Sequence, residues 1–375
     1  MTVLARAVTP NSVTRSDSVT QSDDEAELEE VDDYGKLRKL LSRGLTPDAY
    51  CCSALYFALT GRHKVWTVRC KDRYLVVLRH PNVPRTLLVF CPFVSSASEL
   101  AEQVEALSRC KKFLNQCEGH GVFLARIPEL IADDFISKHA MGLLHCKPER
   151  VQEEVLDWVH PSYDIHLQGL LNLEGRKLKI YRKKLRKFCG QDIEVLRPRK
   201  DFSPQELIKA VREVNKGWVR TKLTSQISHR GPEISPSEPG FSPRELMSCY
   251  REMARLNSDT SLAMDGLVLR RAGTYIAFSF WERPANGKTV ACLAALPVSH
   301  EKGLSEHLYY AIADCLKNEG YEYMCIGGSE TASLDQFKKK LDPRRAHKLQ
   351  TMRIRLNAST PGSDPLSASR LTLVG

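Results

Sequence analysis

Short apolar runs alternate with helical repeats of apolar residues from about residue 46 onward. Three runs rich in β-branched and apolar side chains follow one another, separated by polar or proline-bearing turns, at residues 65–69, 74–80 and 86–91. Runs of this length bounded by turn residues are typical of strands, so they predict a three-stranded meander. Ser96 and Glu99 then form a capping box, which predicts a helix that runs to about residue 117.

The rest of the first half mixes both element types. The pattern predicts, in order, a strand, a helix and a strand at residues 122–127, 128–138 and 143–146. Hairpins combined with helical crossovers indicate a mixed sheet with helices packed on its faces.

The second half repeats this order. Two of its helices begin with Ser at the N-cap, Pro at the first helical position and Glu at the third. The two N-cap residues are Ser203 and Ser242. Further elements are predicted at residues 193–196, 266–270, 275–281, 289–296, 304–318, 321–326, 334–341 and 348–356. The fold class is therefore α/β with mixed sheets.

Length and composition divide this pattern into domains. The 375 residues exceed one compact core, and the 42% hydrophobic content suits two globular lobes. We expect an acidic, mostly disordered tail over residues 1–44 and a first lobe over residues 45–165. A second lobe over residues 166–358 and a loose C-terminal tail over residues 359–375 would follow. No run of eighteen apolar residues and no secretory leader is present in the sequence, so a cytoplasmic location without a transmembrane segment is expected.

The twelve cysteines are scattered, and the sequence contains no CxxC pair and no zinc-ligand spacing. Most lie inside apolar strand-like runs, where a free cysteine behaves as a small hydrophobic residue. The sequence therefore predicts buried reduced thiols and no metal site.

Charge is distributed unevenly along the chain. The net charge is +10, but residues 1–33 contain two arginines against nine acidic residues, a net −7, so the remaining chain carries +17. Such an excess favours polyanionic partners, namely nucleic acid, an anionic membrane surface contacted peripherally, or a phosphorylated cofactor.

The cations concentrate in one segment. Eight of the twelve residues from 176 to 187 are Lys or Arg and none is acidic. Apolar residues recur among them at helical spacing, so one face of a helix would dock while the others stay charged. Two interpretations remain open: a binding face for an external anion such as nucleic acid, or a plainly solvated or nuclear-localisation-like run.

A second possible phosphate site follows the strand at residues 289–296. Gly303 lies in the loop before the next helix, where free backbone N–H groups and a helix N-terminus can bind a phosphate.

The order of these strands and helices resembles the GNAT acyltransferase fold. More specifically, the chain resembles the C-terminal domain of phosphatidylglycerol lysyltransferases, a tandem-GNAT family related to the Fem peptidyltransferases. The resemblance covers about residues 46–356. Five blocks carry it in order: residues 53–56 with Trp66; residues 173–177 with Arg182, Lys183, Arg186 and Phe188; Trp218; residues 266–269 with 277–279; and residues 328–330 with Leu334, Phe337, Lys338 and Pro343. It implies two fused GNAT-like lobes and aminoacyl transfer. The loop at residues 299–305 departs from the Q-x-x-G-x-G pattern of members that bind acetyl-CoA.

Acyl transfer in such a fold requires no covalent enzyme intermediate, and the sequence suggests neither a Ser-His-Asp nor a Cys-His arrangement. Glu330 follows a strand beside two glycines, so it is the leading candidate for the acid/base or for recognition of an amine. Asp265 and Glu282 flank the central hairpin and are candidates to recognise a donor ammonium. The residues expected to hold donor phosphates are Arg182, Lys183, Arg186, Lys338 and the backbone of Gly303. His300 is a weaker candidate base.

Three functions follow from these observations. The first is transfer of an amino acid from aminoacyl-tRNA, with no covalently bound cofactor, to an amine or hydroxyl of a lipid or small molecule. The second is N-acyl transfer from acyl-CoA. The third is non-catalytic binding of nucleic acid or an anionic surface on the same scaffold.

Overall fold

The computed structural model describes the chain in segments. They are residues 26–62, 64–80, 85–118, 120–140, 147–150, 160–188, 190–228, 243–259, 262–283, 287, 289–299, 301–329 and 331–355. The strand predicted at residues 143–146 and both chain ends lie outside them.

The first half of the described chain builds one group of elements. They are β1 (Glu27–Glu30), α1 (Tyr34–Leu41), α2 (Ala54–Thr60), β2 (Val65–Cys70), β3 (Arg73–Arg79), β4 (Thr86–Phe90), α3 (Ala97–Arg109), α4 (Lys111–Cys117), β5 (Gly121–Pro128), α5 (Glu129–Ala140) and β6 (Lys147–Arg150). A 3₁₀ turn, Ala49–Cys52, precedes α2.

The second half contributes the remaining elements. They are β7 (Ser162–His166), α6 (Leu167–Asn172), α7 (Lys179–Leu185), β8 (Ile193–Leu196), α8 (Pro198–Asp201), α9 (Pro204–Ser228), α10 (Pro243–Leu256), β9 (Met264–Arg271), β10 (Thr274–Glu282), β11 (Thr289–Pro297), α11 (Leu304–Asn318), β12 (Tyr323–Cys325), α12 (Ala332–Lys339), β13 (Arg345–His347) and β14 (Leu349–Arg355).

These strands form two mixed sheets, so the predicted α/β class is confirmed. The strand orders are β1-β2-β3-β4-β5-β14-β6 and β13-β7-β12-β11-β10-β9-β8. Each sheet has one parallel pair joined through a helical crossover, β4/β5 in the first and β11/β12 in the second, and its other neighbours are antiparallel. The final strand β14 returns to pair with β5 and β6. The domain limits stay a prediction, and the pairing assigns β7 to the second sheet and β14 to the first.

Two regular elements lie within the region expected to be an acidic, mostly disordered tail. β1 pairs antiparallel with β2, and α1 begins after Asp33, whose carboxylate accepts the N–H groups of Gly35 and Lys36. Leu28 packs against the core of the first sheet. Ala26, directly before the strand, is buried in the same core. The acidic composition of this region concealed the strand.

The predicted helix from Ser96 to residue 117 is two helices that break at Cys110. Phe113 lies six residues beyond Leu107, which in one continuous helix would rotate its side chain about 240° from the buried face. The extended backbone at Cys110 resets this phase, and Cys110, Leu107 and Phe113 are all buried.

The predicted cap of α9 is confirmed, since Ser203 and Glu206 bond to each other's backbone N–H groups. Among the described residues no helix is both long enough and apolar enough to cross a membrane.

Candidate active site between two diverging strands

The second sheet opens between its two parallel strands. β11 and β12 pair only over Thr289–Ala291 and Tyr323–Cys325, although β11 continues to Pro297. Beyond Cys325 the chain follows β7 instead, as Ile326 N–H donates to the Tyr163 carbonyl at 2.9 Å. By contrast, β4 and β5 of the first sheet pair along all of β4. We call the gap between residues 292–297 and 326–329 the opening.

A segment of the first half of the chain reaches the base of the opening. The 3₁₀ turn Ala49–Cys52 places the hydroxyl of Tyr50 against the carbonyl oxygen of Cys292, to which it donates a buried hydrogen bond. Cys292 is the first residue of β11 beyond its pairing with β12. The Tyr50 side chain therefore supplies a hydrogen bond to β11 at the first residue that no longer pairs with β12.

Lys338 places a buried positive charge at the other edge of the opening. This side chain on α12 donates to the carbonyl of Gly327 at 3.2 Å and to the carbonyl of Gly328. Next to these glycines, the hydroxyl of Ser329 is fully buried and has no hydrogen-bond partner among the described residues.

The thiol of Cys292 lies within the electrostatic influence of Lys338. Burial raises the pKa of this thiol to about 11, although its hydrogen bond with Ser279 and the Lys338 charge act in the opposite direction. The thiol is therefore protonated at neutral pH and is a poor nucleophile. This supports chemistry without a covalent enzyme intermediate.

Glu282 lies at the base of the opening, opposite Ala291 in the β10/β11 pair. Its fully buried carboxylate accepts the hydroxyl of Ser53 and the N–H groups of Ala54 at 3.3 Å and Leu55 at 3.0 Å. Burial raises the pKa of Glu282 despite these hydrogen bonds. The carboxylate thus caps α2, and its described partners already occupy both oxygens.

Asp265 is held apart from the opening in a cluster of charges. It pairs with Arg197 and with Arg283 at 2.7 Å, and Glu319 pairs with the same two arginines at 2.7 and 3.0 Å. Asp265 on β9 lies opposite Trp281 on β10, so it is two strands away from β11. Its carboxylate is engaged by the two arginines of this cluster.

Gly303 begins α11 with φ +103°, and the basic helix α7 covers it. A Cβ at this position would lie 2.7 Å from the carbonyl oxygen of Lys184 and 2.9 Å from the ring of Phe188. Lys184 also pairs with Glu306 in the first turn of α11. The side of Gly303 on which a Cβ would lie is thus covered by α7 and Phe188.

The remaining cations of the basic segment divide into two groups. Arg182 donates to the carbonyls of Leu173 and Gly175, and Lys177 pairs with Asp342 at 3.1 Å. The others are exposed and have no ion-pair partner in the described part of the chain: Arg176, Lys179, Lys183, Arg186 and Lys187. Lys183 and Arg186 are thus available to an external anion, whereas Arg182 already has acceptors.

Two predicted residues, Glu330 and His300, lie outside the described residues.

An ionic network that the sequence did not suggest lies between the sheets. Arg126 of β5 forms a two-pronged ion pair with Asp48 at 2.6 and 2.9 Å, with both side chains wholly buried. On the second sheet, Asp164 accepts from His347 at 2.9 Å. A lone arginine inside the apolar run of residues 122–128 is the sequence signal that could have revealed Arg126.

Within the described ranges, no cluster of three His, Cys, Asp or Glu residues could hold a metal ion. The arrangement instead offers a buried ammonium group, nearby backbone groups and two strands that cease to pair. These features suit stabilisation of an oxyanion during acyl transfer.

Residues 52–353 match the family described as phosphatidylglycerol lysyltransferase, C-terminal. No curated protein sequence matches the chain.

Three solved structures are similar in fold. A conserved protein of unknown function from Bacteroides thetaiotaomicron has a TM-score of 0.61 at 13% identity, covering 88% of this chain and 99% of that one. L-PGS from Bacillus licheniformis has a TM-score of 0.52 at 16% identity, covering 88% and 94%. FemX has a TM-score of 0.55 at 12% identity, covering 87% and 96%.

Proposed function

This chain belongs to the phosphatidylglycerol lysyltransferase C-terminal family, and from that membership we propose that it transfers an amino acid from aminoacyl-tRNA to an amine or hydroxyl acceptor. The family resemblance inferred from the sequence is thereby confirmed, and the chain is an acyl- or aminoacyltransferase. The observation that supports the proposed reaction most is the buried ammonium of Lys338 beside the opening of the second sheet.

The reaction would proceed by direct attack. The acceptor nitrogen or oxygen forms a bond to the ester carbonyl carbon, and the bond from that carbon to the 3′-terminal ribose oxygen of the tRNA breaks. The acceptor loses a proton and the ribose oxygen gains one. Lys338 would stabilise the negative charge that develops on the carbonyl oxygen or on the adjacent phosphate, and Glu330 is proposed to accept the acceptor's proton.

The exposed cations of residues 176–187 support a nucleic-acid donor. Five of them have no described acidic partner, and like charges close together repel one another. Phosphates of a tRNA would relieve this repulsion. We propose Lys183 and Arg186 as phosphate contacts and Lys338 as the cation closest to the reacting ester.

The geometry favours tRNA over acyl-CoA. A pyrophosphate could bind at the N-terminus of α11 only if its backbone N–H groups were accessible. The Lys184 carbonyl and the Phe188 ring lie where a Cβ at Gly303 would have to fit, so α7 covers one side of this helix start. The same cationic surface would allow peripheral contact with an anionic membrane, which a lipid acceptor requires, and we propose a cytoplasmic site of action where charged tRNA is present.

The test is a transfer assay with tRNA charged with radiolabelled amino acids. One arm contains vesicles with phosphatidylglycerol, another contains an extract of small cytosolic metabolites, and a third contains CoA thioesters without tRNA. The proposal predicts that label leaves tRNA and appears in lipid or in a small molecule only when protein is present. Label that stays on tRNA in both acceptor arms, or product formed from a CoA thioester, would overturn it.

A further inference from the structure

The backbone at Arg126 is unusual for a strand. Arg126 adopts φ +58°, a left-handed conformation that non-glycine residues rarely occupy. The same place carries a β-bulge: Ile127 pairs with Gln350 and Leu124 with Met352, so two residues of β5 lie opposite Thr351 alone. Bulges redirect side chains and occur frequently beside active sites.

The redirected side chain points into the contact between the sheets. The Arg126 guanidinium lies 5.1 Å from the ring centre of Tyr50 and 5.4 Å from that of Tyr56, and it binds Asp48 through two nitrogens. Asp48 in turn caps the 3₁₀ turn that carries Tyr50. Arg126 therefore contacts this turn at its capping residue, Asp48, and at the ring of Tyr50.

The same turn is fixed to the second sheet on its other side. Tyr50 donates to the Cys292 carbonyl at the base of the opening, and Glu282 holds Ser53, Ala54 and Leu55. We call residues 48–56 the linking segment. Its position, and hence that of the Tyr50 hydroxyl, depends on anchors from both sheets.

We propose that Arg126 is a positioning residue for the opening, acting through Tyr50. A bent, left-handed backbone is unfavourable by itself, and nothing about packing an apolar strand requires it. The observed geometry instead orients one guanidinium so that the Tyr50 phenol meets Cys292 where β12 departs. The inference rests on the proposed function, because the opening is the site where transfer is proposed to occur.

The first readout does not depend on activity. Hydrogen–deuterium exchange is measured on wild-type protein, Arg126→Gln and Tyr50→Phe, with Arg73→Gln as the control because Arg73 pairs with Glu99 on the outer part of the first lobe. Arg126→Gln is expected to speed exchange at least about tenfold in peptides covering residues 48–56 and 289–297, because the local hydrogen bonds there would open more often. Unchanged exchange in both peptides would overturn the proposal.

The second readout separates positioning from general stability. Tyr50→Phe removes one hydroxyl, and it remains informative if Arg126→Gln fails to fold. Each variant is expected to lower kcat about tenfold with little change in the KM for charged tRNA, and the double variant should be no worse than the poorer single one. A loss of kcat in the double variant equal to the product of the two single losses would contradict the proposal. So would an Arg126→Gln variant with normal kcat. If no transfer occurs in wild type, the proposed function fails while the exchange result still decides the role of Arg126 in positioning the segment.

Discussion

The carboxylate of Glu282, on the second sheet, accepts the backbone N–H of Leu55 at 3.0 Å in the first turn of α2. A helix of the first half of the chain is thus capped by a residue 227 positions later. The predicted role of Glu282 in recognising a donor ammonium remains a prediction, and the structure adds a second role, fixing the linking segment at the base of the opening.

Glu282→Ala should destabilise the fold. The substitution leaves a buried hydroxyl and two buried N–H groups without their acceptor, a loss of about 1–3 kcal/mol for such groups. Urea unfolding measures the change. Glu194→Ala is the matched control, since this glutamate also lies on a strand of the second sheet but pairs with Arg270 at the surface, where solvent screens the pair, so it should cost much less than Glu282→Ala. Equal effects of the two substitutions would contradict the proposed capping role.

His347 should make stability depend on pH. Burial disfavours its protonated ring, but the hydrogen bond and charge of Asp164, with the charge of Asp48, outweigh burial and raise the pKa of His347 above 6.5. The folded state therefore binds this proton more tightly than the unfolded state. The resulting stability is fully present below pH 6.5 and is lost as pH rises through the folded-state pKa.

The comparison is between wild type and His347→Gln. Above pH 6.5 the free energy of unfolding should fall more steeply with pH in wild type. Burial lowers the pKa of His80 to about 4 and also lowers that of His307, so their contributions change below pH 6.5, outside this window. Parallel stability curves for the two proteins between pH 6.5 and 8.5 would show that the Asp164 contact does not act as described.

The exposed cations of residues 176–187 should control the salt dependence of tRNA binding. Removing Lys183 and Arg186 together is expected to weaken binding and to reduce the slope of log affinity against log salt by about 0.7–0.9 for each phosphate that the variant no longer neutralises. Arg109→Ala with Lys112→Ala is the control, because these exposed cations of the first lobe already pair with Glu105 and Glu27. If the control lowers the slope as much, α7 is not the binding surface.

The sequence predicted the elements well where periodicity and capping act locally. The Ser203 cap, the hairpin of β9 and β10 and the strand-helix-strand order around α11 all follow from residues near one another in the chain. The return of β14 to the first sheet could not be predicted this way, because no local pattern states which sheet a strand joins. The break at Cys110 was visible in principle from the phase of Phe113.

The site was predicted less completely. Lys338 was chosen by resemblance, and its burial beside Gly327 is a tertiary property that the sequence alone does not contain. The Arg126 conformation is likewise invisible to periodicity, since a bulge changes the pairing and leaves the apolar run intact. Asp265 illustrates the opposite case, because this acid beside a promising hairpin pairs with Arg197 from before the hairpin and with Arg283 at the hairpin's far end.

Lys338→Met tests the central claim most directly. A methionine side chain is similar in length to that of lysine and lacks the charge. The loss of electrostatic stabilisation should therefore lower the rate of label transfer from charged tRNA by about 10²–10³-fold. Lys340→Met is the matched control, because Lys340 lies two residues away and is exposed, and it should transfer at the wild-type rate. The measurement is single-turnover transfer at saturating protein, with thermal unfolding to confirm that both variants are folded. A folded Lys338→Met protein that transfers as fast as Lys340→Met would contradict the assignment of the reaction to this opening.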